Sequence, residues 1–191
     1  AYQTNLLGKV KMSLVVDRQD DTELIDVNQQ VAETGLWNFQ QICLGPPLED
    51  HTPTLTQWVA LHHRLFTQQA TPYADFAVWL PYGERILKEF KYQVWKQVGR
   101  GEYRQFEKTG PNNLLAWEAS WQVFRTALIG LSIVAPAVLD AYLACFRQLC
   151  HDYPEAWGLL CDAGNHFRKH EALSIRREAE GAYYRGEHWA I

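Results

Sequence analysis

The sequence predicts a mostly α fold, a multi-helix orthogonal or antiparallel bundle with one small β-hairpin, from three observations. Apolar residues recur at Trp117, Trp121, Phe124, Leu128 and Leu131, the four-and-three spacing that lines one face of a helix and marks a buried structural spine. Further stretches repeat that period on both sides of it. Only one stretch alternates polar and apolar residues instead: FKYQVWKQ and EYRQFEK, flanking the turn-like Val98-Gly99-Arg100-Gly101.

Taken in order, residues 3–16 read as a modest helix that includes Gly8, followed by an acidic segment from Asp17 to Asp26 expected to be a solvated loop and helix cap. DRQDDTELIDVN lacks the central Gly of an EF-hand loop, so no calcium site is expected there. Gln30 to Leu44 forms a second helix, stopped by Gly45 and Pro46-Pro47. Thr54 and Gln57 have capping-box spacing and open a third, with Leu55, Trp58, Leu61, Leu65 and Phe66 on its apolar face. His62 and His63 are adjacent and point roughly 100° apart on that helix, so they do not share an ion. Asp75 to Leu80 is too short and apolar for a surface helix and reads as a buried extended piece or the entry to a turn. Tyr82 to Phe90 reads as a short helix leading into the hairpin.

Gly110-Pro111-Asn112-Asn113 breaks the chain and supplies an Asn cap for the central helix, which is expected to run to Val134. Pro136 and Tyr153-Pro154 divide off two more amphipathic helices. The organisation is one domain over 1–191: an acidic helical lobe (1–80), a short helix and basic hairpin (81–110), a three-helix unit (111–173) and a polar tail (174–191). Residues 1–80 hold 4 Lys+Arg against 9 Asp+Glu, and 81–108 hold 7 against 4, so a net charge of -4 is unevenly spread.

Charge locates the candidate binding residues. Lys88, Lys91, Lys96, Arg100, Arg104 and Lys108 are interleaved with Tyr92, Trp95, Tyr103 and Phe106, residue types that pair phosphates and stack unpaired bases. Cys161, His166 and His170 are the best metal candidates, but they lack paired CxxC or HExxH spacing, so no metal or other cofactor is assigned. The four cysteines lie in apolar surroundings without CxxC pairing and fit reduced thiols of an intracellular, cytoplasmic protein. No apolar run reaches the roughly 20 residues a membrane span needs. A start at Ala1, with the only Met at position 12, points to a segment of a longer polypeptide. GxSxG, P-loop and GxGxxG motifs do not occur, so the reading is non-enzymatic with no catalytic residue.

Two blocks, Pro72-Tyr73-Ala74-Asp75-Phe76-Ala77-Val78 and Ser120-Trp121-Gln122-Val123-Phe124-Arg125-Thr126-Ala127, carry a family resemblance. Sparser positions extend it: Lys11-Met12-Ser13, Val16-Asp17, Pro53-Thr54, Ala60-Leu61, Arg64, Pro81-Tyr82-Gly83, Arg85, Gly110-Pro111, Trp117, Leu139, Tyr142, Tyr153-Pro154, Ala156-Trp157, Arg168 and Arg176-Arg177. The pattern resembles gag-like helical regions of retroelement-type open reading frames expanded in protist genomes. It departs from them where Gly164 follows Ala163 in place of an acidic residue, and no zinc knuckle follows. The resemblance implies a non-enzymatic scaffold ahead of replication enzymes, whose partners are itself and RNA. The alternatives are an adaptor docking on another protein subunit, and a helical metal-dependent hydrolase using Asp75, His166 or His170 in one concave pocket.

Overall fold

The computed structural model describes residues 8–22, 24–81 and 90–172. The fold is mostly α with a small β-hairpin. Its elements are β1 (Lys9–Val10), β2 (Ile25–Asp26), α1 (Gln29–Cys43), α2 (Leu55–His62), β3 (Lys91–Gly99), β4 (Glu102–Thr109), α3 (Leu114–Gly130), α4 (Pro136–Asp152) and α5 (Trp157–His166). Helices α2 and α5 each run on into a π-turn, His63–Thr67 and Phe167–Glu171.

Helix α3 is the centre of the core. Trp117, Trp121, Phe124 and Leu128 are all buried. The Trp117 ring stacks on Phe146 of α4 with centroids 4.1 Å apart, and Trp121 stacks on Tyr142 at 4.8 Å. Phe76 and Trp79, from the turn after α2, meet Phe124 edge-on. Leu131 does not complete this row. The helix ends at Gly130 instead of continuing to Val134, because Ser132 takes a φ of 57° and the chain closes in a Schellman motif. There Ser132 N–H donates to the Ile129 carbonyl and Ile133 N–H to the Leu128 carbonyl.

Glycines set how closely the N-terminal helices approach α3. The Trp58 indole of α2 lies between Gly35 and Gly130, and a Cβ at either position would meet the ring about 2.5 Å away. The Asn38 side-chain amide donates to the Gly130 carbonyl at 3.0 Å.

The N-terminal segment corrects the predicted helix over 3–16. From Gly8 onward it is a strand bridge with β2, followed by a 3-10 turn, Met12–Leu14. Met12, Val15 and Val16 keep a helical spacing and are fully buried, but Gly8 has a φ of 68° and Val10 pairs with Ile25, so the segment enters as a strand and forms only a single 3-10 turn. The helix predicted over Tyr82 to Phe90 and the polar tail lie outside the described residues, apart from Phe90 itself. Two of the cap predictions hold: Asn113 accepts from Ala116 N–H, and Thr54 and Gln57 form the full capping box; the cap expected from the acidic 17–26 segment is instead Asn28, which accepts from Gln30 N–H. Among the described residues no helix is long and apolar enough to cross a membrane.

Candidate nucleic-acid interface

Strands β3 and β4 pair antiparallel from Lys91↔Thr109 to Gln97↔Tyr103, with a bulge before the Gly99↔Glu102 pair. Directly opposed residues share a face of the ribbon. One face therefore carries Tyr92, Val94 and Lys96 opposite Lys108, Phe106 and Arg104. The other carries Lys91, Gln93, Trp95 and Gln97 opposite Thr109, Glu107, Gln105 and Tyr103. The pleat separates what the sequence interleaves. Lys96 and Arg104 are on one face, and the two most exposed rings, Trp95 at 66% and Tyr103 at 61%, are on the other.

The base of the ribbon is docked. Tyr92 and Val94 are buried against α5, and a Cβ on Gly158 would run into the Gln93 carbonyl oxygen. Gly158→Ala is therefore expected to undock the ribbon while leaving α3 and α4 packed. Amide hydrogen exchange should show protection lost in β3 and β4 first.

The six predicted cations divide accordingly. Lys88 lies outside the described residues. Lys91 pairs with Glu107 at 2.9 Å, across the ribbon and half exposed. Lys108 is not part of an open basic surface, because its ammonium sits 2.6 Å from both carboxylate oxygens of Asp162, which also accepts from the Tyr92 hydroxyl. Burial pushes the Tyr92 phenol up, helped by Cys161 and Asp162, so it stays a donor. Lys96, Arg100 and Arg104 remain at the tip, all exposed. Among the described residues no carboxylate lies within ion-pair distance of them.

Beside the docked base is a cleft of about 810 Å³ bounded by the 17–19 segment, the Tyr73–Ala77 turn, β4 and α5. It gathers Asp75, His166 and His170, the three groups of the hydrolase alternative. The Asp75 carboxylate is engaged there, taking the Arg18 guanidinium at 2.6 Å and the Ala77 N–H at 3.0 Å. The His166 and His170 rings are 4.8 Å apart. Cys161 does not join them: its thiol is buried, aimed at the Pro111 carbonyl, and burial pushes its pKa up to about 12. Among the described residues no three His, Cys, Asp or Glu side chains come together as a metal site.

No family model, curated protein or solved structure matches this chain. The chemistry is therefore read from the site alone.

Beneath the cleft is a charged knot that the sequence reading missed. Asp17, expected in a solvated loop, is 4% exposed and takes Arg64 at 3.4 Å and Lys169 at 3.3 Å. Arg64 also donates to the Thr71 carbonyl. Arg168 donates to the carbonyls of Gly164 and Ala74 and to the Asn165 side chain, with its guanidinium 4.0 Å over the Phe76 ring. Arg64, Arg168 and Lys169 surround the Tyr73 ring. Burial, with Asp75 adding to it, pushes the Tyr73 phenol up, so it is no nucleophile at neutral pH. The available signal was Arg64 itself, a cation three residues after Leu61 and next to Leu65 on the apolar side of its helix.

Two groups set the acid response, Asp20 at 3.9 Å from Arg64 and His62 outside the knot. Burial pushes Asp20 up, but hydrogen bonds from Thr22 and Gln68 and the Arg64 charge outweigh it and hold the carboxyl below its ordinary 3.8. A depressed carboxyl contributes stability that is present above 3.8 and lost as pH falls through the folded-state value. Burial, with His63 adding to it, lowers His62 below 6.5, and its contribution likewise falls as the pH drops below that value. Urea midpoints are expected to hold above neutrality and to decline below pH 6.5, then more steeply below pH 4.

Proposed function

We propose that the chain is a non-enzymatic, gag-like scaffold that self-associates and holds single-stranded RNA weakly through the tip of the β3–β4 ribbon. The observation that carries the RNA part is the direct opposition of Lys96 and Arg104, with Arg100 at the turn and, among the described residues, no carboxylate within ion-pair distance of them, although Glu102 is at the same turn. Like charges facing each other across a strand pair weaken a hairpin by roughly 0.2–1 kcal/mol, so this arrangement is not explained by folding. A phosphate chain relieves it. Phe106, 41% exposed and next to Arg104 and Lys108 on the same face, offers one ring for an unstacked base. Three cations make a weak site, consistent with a protein of net charge -4.

The test is anisotropy of a labelled mixed-sequence single-stranded RNA at low salt. Lys96→Glu with Arg104→Glu is expected to abolish binding, and Lys91→Glu, which removes a cation already paired with Glu107, to change it little. Equal loss from both variants would overturn the tip assignment.

The hydrolase reading has one observation in its favour, that Asp75, His166 and His170 all line one cleft. Titration with zinc, followed by His166 and His170 imidazole shifts in NMR, decides it. Saturable shifts at stoichiometric metal would favour that reading over the scaffold.

A further inference from the structure

The ribbon docks on α5 through one face only. Tyr92 and Val94 are buried on that side, whereas the other face is exposed along its length, with Gln93, Trp95 and Gln97 opposite Glu107, Gln105 and Tyr103. Beyond Val94 the ribbon is exposed on both faces, so a ligand can reach round its tip.

The open face consists of flat rings and amides. Trp95 is directly opposite Gln105 and Tyr103 directly opposite Gln97, which sets the two rings on a diagonal with about 7 Å between their Cβ atoms. Among the described residues neither ring touches another ring or a cation, and the side-chain amides of Gln93, Gln97 and Gln105 have no hydrogen-bond partner. A cross-strand aromatic pair stabilises a hairpin through contact between its rings, so folding does not account for these two. Their chemistry fits an unpaired nucleobase: a ring stacks on the face of the base, and an amide, which both donates and accepts, matches its edge. The carboxylate on this face, Glu107, is taken by Lys91. Lys96, Arg100 and Arg104 supply the positive field that brings a nucleic acid to the tip.

We propose that Trp95 and Tyr103 form a stacking platform for two successive bases of the RNA strand whose phosphates Lys96, Arg100 and Arg104 hold, with Gln97 and Gln105 bonding the base edges. The two strands of the ribbon are only about 5 Å apart. A single strand carried round the tip past Arg100 therefore turns its phosphates to one face and its bases to the other. This inference rests on the RNA-binding reading and adds base contacts to it. The cations give the salt dependence, and the platform gives a preference for single strands, because the bases of a duplex are already stacked and paired.

Anisotropy titrations that vary bases and phosphates separately test it. The wild type is expected to bind a labelled mixed-sequence single strand at least about fivefold more tightly than an abasic strand with the same number of phosphates, the smallest loss one stacked base implies. The salt slope should be the same for both. Trp95→Leu and Tyr103→Leu are each expected to weaken binding of the intact strand by about fivefold or more while leaving the salt slope and the abasic strand unaffected. Trp95→Phe, which keeps a flat ring, should retain most of the affinity. Equal wild-type affinity for the intact and abasic strands, or leucine variants that bind the intact strand as the wild type does, would overturn the platform and leave this face to a protein partner. Leucine variants that lose both strands alike would also overturn it, because the rings would then support the ribbon rather than the bases. In each of these outcomes the salt slope persists and the phosphate reading stands. A wild type that binds neither strand overturns that reading, and this inference with it.

Discussion

Trp117→Ala is expected to cost about 3–5 kcal/mol of stability, the range for deleting a buried Trp or Phe side chain. Trp117 is 1% exposed and touches rings from three directions: Trp121 stacked at 5.3 Å, Phe146 at 4.1 Å, and Phe76 edge-on at 5.6 Å. Those neighbours belong to α3 itself, α4 and the turn after α2, so the hole cannot be filled by moving one element. At this chain length the loss corresponds to a fall in Tm on the order of 10 °C. Trp95→Ala, at an exposed ribbon position, should change the urea midpoint of the monomer by a small fraction of that. Comparable losses at the two sites would contradict the assignment of Trp117 to the core and Trp95 to a surface.

Asp17→Leu has the second largest expected effect, about 3–5 kcal/mol, because it leaves the Arg64 guanidinium buried without its closest carboxylate. Both side chains are under a tenth exposed, and the same aspartate holds Lys169 and accepts from the Gln19 N–H. The penalty is mainly that of an under-compensated buried charge, left with the more distant Asp20 carboxylate at 3.9 Å, rather than of a lost attraction. Adding Arg64→Met to Asp17→Leu should therefore recover a large part of the loss, although it removes a second partner. A double-mutant cycle in urea reads the coupling directly. Additive losses would mean that the pair is solvated and that the knot does not hold the N-terminal segment to α2 and α5.

Much of this fold was legible because its signals are local. The α3 spine follows from spacing within one helix, the capping box from Thr54 and Gln57, and the hairpin from alternation around Gly99 and Gly101. The division of the hairpin's two faces was legible as well, since Lys96 and Trp95 have opposite parity in a strand, although composition alone makes them look like one surface. The N-terminal segment was not. Its apolar residues, with Met12, Val15 and Val16 at helical spacing, suit a helix, but the left-handed Gly8 and the pairing of Val10 with Ile25 give a strand and a turn.

The charged knot was out of reach for a different reason. Asp17 meets Arg64 across 47 residues, and Arg168 reaches the Ala74 carbonyl across 94, distances over which spacing carries no information. The same holds for Lys108, which looks free in the sequence and is taken by Asp162, 54 residues later. Asp17, Arg64, Tyr73, Asp75, Phe76 and Arg168 gather in this one region. It joins the N-terminal segment, α2, the following turn and α5.

The salt dependence of RNA binding bears most directly on the scaffold reading. Three cations on phosphates predict that the logarithm of the binding constant for single-stranded RNA falls against the logarithm of salt with a slope of roughly -2. Arg100→Gln should lower the magnitude of that slope by somewhat less than one. A slope near zero, or affinity unchanged when Lys96, Arg100 and Arg104 are all neutralised, would contradict the ribbon as the RNA-binding element.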